Sequence, residues 1–278
     1  MKNILITGSG GFVGKQVLNQ LEETKHNISV ISSKNSKFFS NYKNVKRIIN
    51  SKDLFLEDES WFRKCLKNVD TVIHLAWYAN PEDYLSNIKN IECLEGTLNL
   101  AKAFSKSKAK RFIGIGTCIE YKNSNKPLSS SSPIDPKSLY ASCKSSAYFS
   151  LRSIMRDSNK EFAWCRLFYM FGEGQSSEKL HGYILDRIKK NSIVELSSGE
   201  QKKDYIDVKY AAKEIINVSL SNYQGAFNIC SGEGKSVKEI ALEIAKQNGG
   251  EHLLRFGAKE SSDLDQLDII GVKDFISS

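Results

Sequence analysis

Short apolar runs alternate with segments of helical periodicity over residues 1–168. The first run, Asn3–Thr7, indicates a buried strand, and the segment after it carries Val13, Val17 and Leu21 on one helix face. Strands that alternate with helices predict a parallel sheet with helices on both faces. The predicted strands are Asn3–Thr7, Ile28–Ser32, Val45–Ile49, Thr71–Leu75, Arg111–Gly116 and Phe162–Phe168, and the predicted helices are Phe12–Glu23, Trp61–Leu66, Glu82–Phe104 (one long helix or two abutting ones) and Leu139–Ser158.

Beyond Gly172 the predicted elements become shorter. We expect them to build a smaller C-terminal α/β lobe that is interleaved with the last strands of a Rossmann-like, doubly wound parallel sheet. The predicted helices of this part are Leu180–Lys190, Val208–Leu220 and Val237–Gln247, and the predicted strands are Ile193–Leu196 and Ala226–Cys230.

Composition favours a globular chain without a membrane span. The 278 residues are 40% hydrophobic, which is enough for a sizeable core and argues against global disorder. No stretch approaches the roughly 18–20 apolar residues of a membrane helix. The apolar run Ile4–Ile6 near the N-terminus is too short for a signal-peptide core. We therefore expect a cytoplasmic protein.

The formal net charge of +8 raises the question of a nucleic-acid partner. Of the 40 basic residues, 32 are lysines spread along the chain and only 8 are arginines. Arginine is the side chain that reads phosphates and base edges bidentately, so this pattern favours an anionic small molecule over nucleic acid. The six cysteines and four histidines lie far apart along the chain, so the sequence has no close ligand pair of the kind found in zinc sites. The cysteines are therefore expected to be reduced thiols.

A GxxGxxG sequence lies between the first predicted strand and the first predicted helix. Gly8 permits a tight turn, Gly11 lets backbone N–H groups approach a pyrophosphate, and Gly14 lets the helix pack close to the strand. The N-terminus of the helix, at Phe12 and Val13, adds partial positive charge. In this strand–turn–helix context the motif predicts dinucleotide binding.

The end of the second predicted strand bears on the choice of cofactor. An Asp or Glu there would bind the ribose hydroxyls of NAD. Ser33 and Lys34 stand there instead and offer a hydroxyl and a cation. We therefore favour NADP(H), with NAD(H) as the alternative.

A Tyr-x-x-x-Lys sequence follows the fifth predicted strand. Tyr140 and Lys144 are four residues apart and so share one helix face. A lysine ammonium ion beside a phenol is expected to lower the tyrosine pKa towards neutrality and make Tyr140 a general acid–base.

From Met1 to about Gly257 the chain resembles the extended short-chain dehydrogenase/reductase family of nucleotide-sugar epimerases, dehydratases and 4-ketoreductases. The resemblance also rests on the adenine-cupping pair Asp53-Leu54, on His74-Leu75-Ala76 beside the cofactor, and on Gly96–Leu100 in a long helix. It implies a catalytic triad of Thr117, Tyr140 and Lys144. Cofactor contacts are implied for Gly8, Gly11, Phe12, Val13, Gly14, Ser33, Lys34, Asp53, Leu54, Leu75, Ala76, Tyr140 and Lys144.

One departure from the family pattern narrows the activity. The 4,6-dehydratases carry an Asp-Glu pair directly after the catalytic threonine, and this chain has Cys118 and Ile119 there. Neither side chain can serve as that acid–base pair at neutral pH. The local sequence around Thr117 looks most like that of the NDP-4-keto-6-deoxyhexose reductases.

The predicted substrate contacts are less specific. Lys203 replaces an arginine that approaches the nucleotide diphosphate in the family, although a solvated lysine pair with Lys202 is the alternative. Trp77, Cys118 and Phe168 are further candidates for substrate contact.

The resemblance therefore implies a dinucleotide-binding domain over residues 1–168 and a substrate-binding lobe mainly over residues 169–278. The expected reaction is NAD(P)H-dependent reduction of the 4-keto group of a nucleotide-diphosphate sugar, in deoxysugar and surface polysaccharide biosynthesis. A C4 epimerase with tightly bound NAD and a non-catalytic dinucleotide sensor are the alternatives. The family also implies a homodimer through Glu82–Phe104 and Leu139–Ser158.

Overall fold

A parallel sheet of seven strands forms the centre of the computed structural model, which describes residues 1–33, 36–260 and 268–276. The strands of the described chain are β1 (Asn3–Thr7), β2 (Asn27–Ser32), β3 (Val45–Asn50), β4 (Thr71–His74), β5 (Arg111–Thr117), β6 (Glu161–Leu167), β7 (Tyr169–Phe171), β8 (Val194–Glu195), β9 (Lys202–Lys203), β10 (Tyr205–Asp207), β11 (Gly225–Ile229), β12 (Lys235–Ser236) and β13 (Leu254–Arg255). The central sheet has the order β11-β6-β5-β4-β1-β2-β3. This is the doubly wound order of a Rossmann-like fold, as predicted.

Helices cover both faces of the sheet. The helices are α1 (Phe12–Leu21), α2 (Glu59–Cys65), α3 (Lys89–Ser105), α4 (Leu139–Asp157), α5 (Leu180–Lys189), α6 (Val208–Leu220) and α7 (Val237–Gln247). Helices α1 and α6 pack on one face, and α2, α3 and α4 on the other. Along β1, Ile4 and Ile6 belong to the first core and Leu5 to the second, because successive side chains of a strand point to opposite faces. A strand buried on both faces explains why the centre of β1, Ile4–Ile6, is an uninterrupted apolar run.

The predicted elements match the observed ones to within a few residues, with one exception. The predicted helix Glu82–Phe104 begins only at Lys89. Asn87 Oδ1 accepts the N–H of Lys89 at 2.9 Å, and the Tyr78 hydroxyl donates to Asp83 Oδ1 at 2.8 Å. These short polar side chains satisfy local hydrogen bonds outside a helix, so residues 81–86 form turns instead.

The C-terminal part of the chain contributes to both the sheet and a smaller lobe. Strand β11 pairs with β6 at the edge of the central sheet, and α6 packs against α1. The remaining short strands form three two-stranded pairs, β10 with β7, β12 with β9 and β13 with β8. Helices α5 and α7 enclose a separate small core with β8 and β13. The lobe therefore stands beside the carboxyl edge of the sheet, where β7 directly follows β6.

The strand order reverses between β1 and β4, which places a crevice at their carboxyl ends. Thr7 ends β1, His74 ends β4 and Thr117 ends β5. In open α/β sheets this crevice is where ligands bind. Every predicted cofactor residue that the structure describes lies on an element that reaches this edge or on the turn that follows it.

Two observations bear on other functions. Within residues 1–33, 36–260 and 268–276, none of the helices combines the length and apolar character that crossing a membrane requires. Across the same described residues, His, Cys, Asp and Glu side chains form no group of three or more suited to a metal ion.

Candidate active site

The β1–α1 turn brings three glycines into close backbone contact. Gly8 has φ of +70°, a conformation that favours glycine, and a Cβ there would lie 2.6 Å from the Ala76 nitrogen. A Cβ on Gly14 would lie 2.2 Å from the Gly8 oxygen, so α1 can approach the turn only because Gly14 has no side chain. Gly11 is the N-cap of α1, and no side chain caps the first amides of that helix. This geometry fits an anion such as a pyrophosphate.

A cleft of about 440 Å³ opens beside this turn. Six of the predicted cofactor residues line it, and Trp77 from the predicted substrate set joins them. The other ten residues of the lining lie in the glycine turn, at or after the ends of β2, β3 and β4, and in the first turns of α3. The predicted residues are Gly8, Gly11, Ser33, Asp53, Leu54 and Ala76, and the other ten are Gly10, Ile31, Ser32, Ser51, Lys52, Phe55, Tyr78, Lys89, Glu92 and Cys93.

The remaining predicted cofactor residues occupy other positions. Val13 and Leu75 pack against the core beneath the turn, and Phe12 is the first residue of α1. Lys34 lies outside the described residues. Asp53 does line the cleft, but its carboxylate also accepts the Phe55 N–H at 3.0 Å and caps a short 3-10 turn.

Thr117, Tyr140 and Lys144 meet at the carboxyl edge of the sheet. Thr117 is the last residue of β5, while Tyr140 and Lys144 lie in the first turns of α4, whose N-terminus is capped by Ser138. The Thr117 side chain lies close enough to the Tyr140 phenol to act on its pKa. Lys144 Nζ lies 5.9 Å from the centroid of the Tyr140 ring. The structure therefore brings together the three predicted triad residues.

The expected lowering of the Tyr140 pKa is wrong for this structure. Burial raises the pKa of Tyr140 well above 10, and the nearby Tyr84, Glu120 and Cys118 raise it further. The Thr117 side chain acts on the Tyr140 pKa in the opposite direction, and its effect is the smaller one. The shift arises because removal from water disfavours the phenolate. Tyr140 is therefore a neutral phenol that can donate a proton.

Lys144 is also almost completely buried, with 3% of its surface exposed. Its Nζ donates a hydrogen bond to the Ile115 oxygen at 2.7 Å. Burial lowers its pKa to about 7, although Glu120 and then Cys93 raise it. Near pH 7 the side chain is therefore close to its titration midpoint.

A buried ion pair between Glu120 and Arg166 lies next to Thr117 and binds its backbone. Glu120 accepts the Thr117 N–H at 2.8 Å and the Arg166 Nε–H at 2.8 Å, and both charged side chains are at most 1% exposed. The Trp164 indole N–H donates to the same carboxylate at 3.1 Å. A Cβ on Gly116 would lie 2.4 Å from Glu120 Oε1, so this glycine makes room for the pair. Sequence reasoning missed Glu120, because an acidic residue in a short segment carries no sign of its burial.

His74 is buried at the end of β4. Its Nδ1 lies 2.7 Å from Thr7 Oγ1 and its Nε2 lies 2.9 Å from Thr97 Oγ1. Burial lowers its pKa to about 3, with a smaller contribution from Lys144. Both ring nitrogens are thus used to join β4 to β1 and α3.

Three of the four predicted substrate residues are buried, and only Trp77 lines the open cleft. Phe168 and Cys118 are 3% and 4% exposed and share a small core, and burial raises the pKa of Cys118 to about 12. Lys203 is 3% exposed, and its Nζ lies 5.4 Å from the Tyr169 ring centroid. The alternative of a solvated lysine pair is therefore wrong for Lys203, whereas Lys202 is exposed.

Two residues that the sequence did not single out complete the surroundings of Tyr140. The Tyr84 ring contacts the Tyr140 ring edge to face, with centroids 5.1 Å apart. Lys179, just before α5, holds its Nζ 4.3 Å from the Tyr84 centroid, and burial lowers its pKa. The lobe thus adds a lysine near Tyr140 at the carboxyl edge of the sheet, and only folding brings it there.

Residues 4–230 match the model of the NAD dependent epimerase/dehydratase family. The chain therefore belongs to this family of NAD-dependent enzymes that modify nucleotide sugars, which confirms the resemblance seen in the sequence.

Curated relatives cover most of the chain at low identity. The dTDP-6-deoxy-L-talose 4-dehydrogenase (NAD(+)) of Aggregatibacter actinomycetemcomitans is 26% identical over 263 residues, 88% of this chain and 91% of that protein. The dTDP-4-dehydro-6-deoxyglucose reductase of Escherichia coli is 25% identical over 256 residues, 87% of this chain and 80% of that protein. Among solved structures, the UDP-N-acetylglucosamine 4-epimerase from Methanobrevibacter ruminantium M1 superposes with a TM-score of 0.86 at 23% identity, covering 98% of this chain and 89% of that one. At this identity the structural likeness establishes the fold alone.

Proposed function

We propose that the protein reduces the 4-keto group of a nucleotide-activated 6-deoxyhexose with NADPH, yielding an activated deoxysugar for polysaccharide biosynthesis. The observation that carries the proposal is the Thr117–Tyr140–Lys144 cluster next to a glycine turn suited to a pyrophosphate, with Cys118 and Ile119 in place of a dehydratase acid pair. The two curated relatives named above act on the 4-position of dTDP-deoxysugars, which supports the same reaction class.

The cofactor supplies a hydride to the carbonyl carbon when bound. Tyr140 donates its phenolic proton to the carbonyl oxygen, which balances the hydride and completes the alcohol. Thr117 donates a hydrogen bond to the same oxygen and stabilises the negative charge that develops there. The raised pKa of Tyr140 keeps the phenol protonated before this step, which is the form that reduction needs. Lys144 places an ammonium ion beside the phenol and stabilises the phenolate left behind.

Tyr140→Phe tests the reaction. We expect turnover of a 4-keto-deoxysugar nucleotide to fall by roughly 10²–10⁴-fold, the scale of a lost general acid, with dinucleotide binding retained. Tyr42→Phe removes a hydroxyl whose bond to Asn19 is exposed, and this control should keep wild-type turnover. Near-normal turnover of Tyr140→Phe would refute the mechanism.

For the cofactor we propose NADPH over NADH. Ser33 and Lys52 line the cleft, and no acid stands at the end of β2. Dissociation constants for the two cofactors provide the test, and NADPH should bind at least tenfold more tightly. Comparable constants would contradict the preference and leave NAD as the cofactor, as the name of the Aggregatibacter relative states for that protein.

The epimerase alternative uses the same three residues but keeps its dinucleotide bound through oxidation and re-reduction. Denaturing the purified protein and measuring released cofactor separates the two. Exchangeable NADPH supports the reductase, whereas stoichiometric NAD supports the epimerase. A non-catalytic sensor would bind the dinucleotide but would not convert any 4-keto nucleotide sugar.

A further inference from the structure

Trp77 follows Ala76 at the carboxyl edge of the sheet and lines the cleft. Its indole N–H donates to Asn90 Oδ1 at 2.8 Å, and Asn90 is fully buried. The side-chain amide of Asn90 in turn donates to the backbone carbonyl oxygen of Tyr84 at 2.7 Å. Phe55 packs edge to face on the indole, with centroids 6.4 Å apart. Contacts from two sides therefore fix the orientation of this indole.

The face of the indole covers the Lys144 ammonium group. Lys144 Nζ lies 3.9 Å from the Trp77 ring centroid, a close cation–π distance. An ammonium group has three N–H donors. One points to the Ile115 oxygen at 2.7 Å, and the indole face occupies a second direction. The remaining N–H donor determines in which direction Lys144 can bind a ligand or approach Tyr140.

We infer that Trp77 positions the Lys144 ammonium ion and forms the wall of the cleft against which the nicotinamide half of a dinucleotide binds. The inference rests on the proposed function, because it assumes that the cleft takes a dinucleotide. It also assigns Trp77 to the cofactor side, whereas the sequence placed this residue with the substrate contacts. Trp77 is a positioning residue for Lys144, whose Nζ lies 5.9 Å from the centroid of the Tyr140 ring.

The indole also affects the charge of Lys144. A π face attracts the ammonium form and does little for the neutral amine, so it opposes the lowering of the pKa by burial. Removing the indole should lower the pKa of Lys144 below its value of about 7. Other titratable groups around Lys144 stay in place in a Trp77 variant. They are Glu120 after β5, Cys93 on α3, His74 on β4 and Tyr140 on α4.

Fluorescence titration with NADP⁺ tests the placement of Trp77. The chain has two other tryptophans, Trp61 and Trp164. We expect NADP⁺ to change the tryptophan emission of the wild type and of Trp61→Phe, and to leave that of Trp77→Phe nearly unchanged. An equal change in Trp77→Phe would overturn the inference.

Binding constants test the positioning role. For Trp77→Leu we expect the NADP⁺ dissociation constant to rise by about 2–30-fold, the range of a cation–π contact. Adenosine 2′,5′-bisphosphate lacks the nicotinamide half and should bind both proteins equally. A wild type that binds neither ligand would refute the proposed function itself, whereas unchanged NADP⁺ binding in Trp77→Leu refutes only this inference.

The pH profile provides a readout that a purely structural role would not move. Turnover should fall as the pH rises through the pKa of Lys144, since the amine loses its proton. In Trp77→Leu this fall should occur about 0.5–1 pH unit lower, and Trp77→Phe should lie between the two. Coincident profiles of wild type and Trp77→Leu would contradict a role in holding the Lys144 charge.

Discussion

Burial controls the protonation of the residues around Tyr140. The Tyr140 pKa is raised and the Lys144 and His74 pKa values are lowered, in each case mainly by desolvation. All three shifts favour the neutral form of the group. As a consequence, the Tyr140 phenol keeps its proton, and the protonation of Lys144 changes with modest changes in its environment.

His74 should make stability fall in mild acid. Its folded-state pKa of about 3 lies below the ordinary value of 6.5, so the unfolded chain binds the extra proton between these values. The free energy of unfolding should then decrease as the pH falls below about 6.5, by at most about 1.4 kcal/mol per pH unit from this group. Urea denaturation at pH 7, 6 and 5 measures this slope.

Other groups also titrate in this range, so the His74 contribution is the difference between variants. His74→Gln should show a shallower loss of stability with falling pH than the wild type. His252→Gln, on the exposed surface, should keep the wild-type slope. Parallel slopes for wild type and His74→Gln would show that His74 is not responsible.

Glu120→Gln should be strongly destabilising. Its charge is paired with Arg166 at 2.8 Å in the core, and removing it leaves a buried, uncompensated guanidinium. The expected cost is about 3–5 kcal/mol in the free energy of unfolding, measured with urea. Glu59→Gln breaks ion pairs with Arg63 and Lys106 at the surface and should change stability little. Equal stability of the two variants would contradict the buried pair.

At the scale of elements, close backbone approach shapes the β1–α1 turn and the start of α3. Gly14 lets α1 contact Gly8, and Gly96 lets α3 approach Phe55, where a Cβ would lie 2.5 Å from the Phe55 Cα. These contacts set the two sides of the cleft.

Gly14→Ala should therefore damage dinucleotide binding and stability together. The new methyl group would overlap the Gly8 oxygen, which must shift and open the turn. We expect the dissociation constant for NADPH, measured by titration, to be at least tenfold larger than that of the wild type. Gly249→Ala has positive φ of +68° but open space around its Cβ, so it should weaken folding slightly and leave cofactor binding unchanged.

At the scale of the whole molecule, α3 and α4 pack side by side and expose apolar side chains. Ile91 on α3 is 39% exposed and Phe149 on α4 is 44% exposed, while Ile88 just before α3 is 66% exposed. Arg152 lies over the Phe149 ring, 5.5 Å from its centroid. Apolar side chains grouped on neighbouring helices are typical of an interface.

We expect a homodimer through this face. Phe149→Glu should convert it to a monomer, because a charge would be buried between the two copies. Light scattering after size exclusion measures the mass. Leu242→Glu places the same charge on α7 at a side chain that is 39% exposed, and it should leave the dimer intact. A monomeric wild type at micromolar concentration would contradict the expectation.

Much of the fold could be predicted because its signals are local. Apolar runs such as Ile4–Ile6 and the helical spacing of Val17 and Leu21 depend only on neighbouring positions. The start of α3 could not be predicted, since hydrogen bonds of Asp83 and Asn87 compete with the helix. For the site, the glycine turn and the pair Tyr140 and Lys144 carried recognisable spacings, whereas Thr117 was indicated by the resemblance to the family.

The amino-acid sequence by itself determined the doubly wound sheet, the glycine turn and the identity of Thr117, Tyr140 and Lys144. Periodicity and fixed spacings along the chain encode the sheet, the glycine turn and the Tyr140–Lys144 pair, and the resemblance to the family indicates Thr117. Only the tertiary structure decided that Trp77 covers Lys144 and that Glu120 and Arg166 are paired in the core. It also decided the direction of the pKa shift of Tyr140. Desolvation and contacts between distant residues depend on how the whole chain packs, and no local pattern of residues records them.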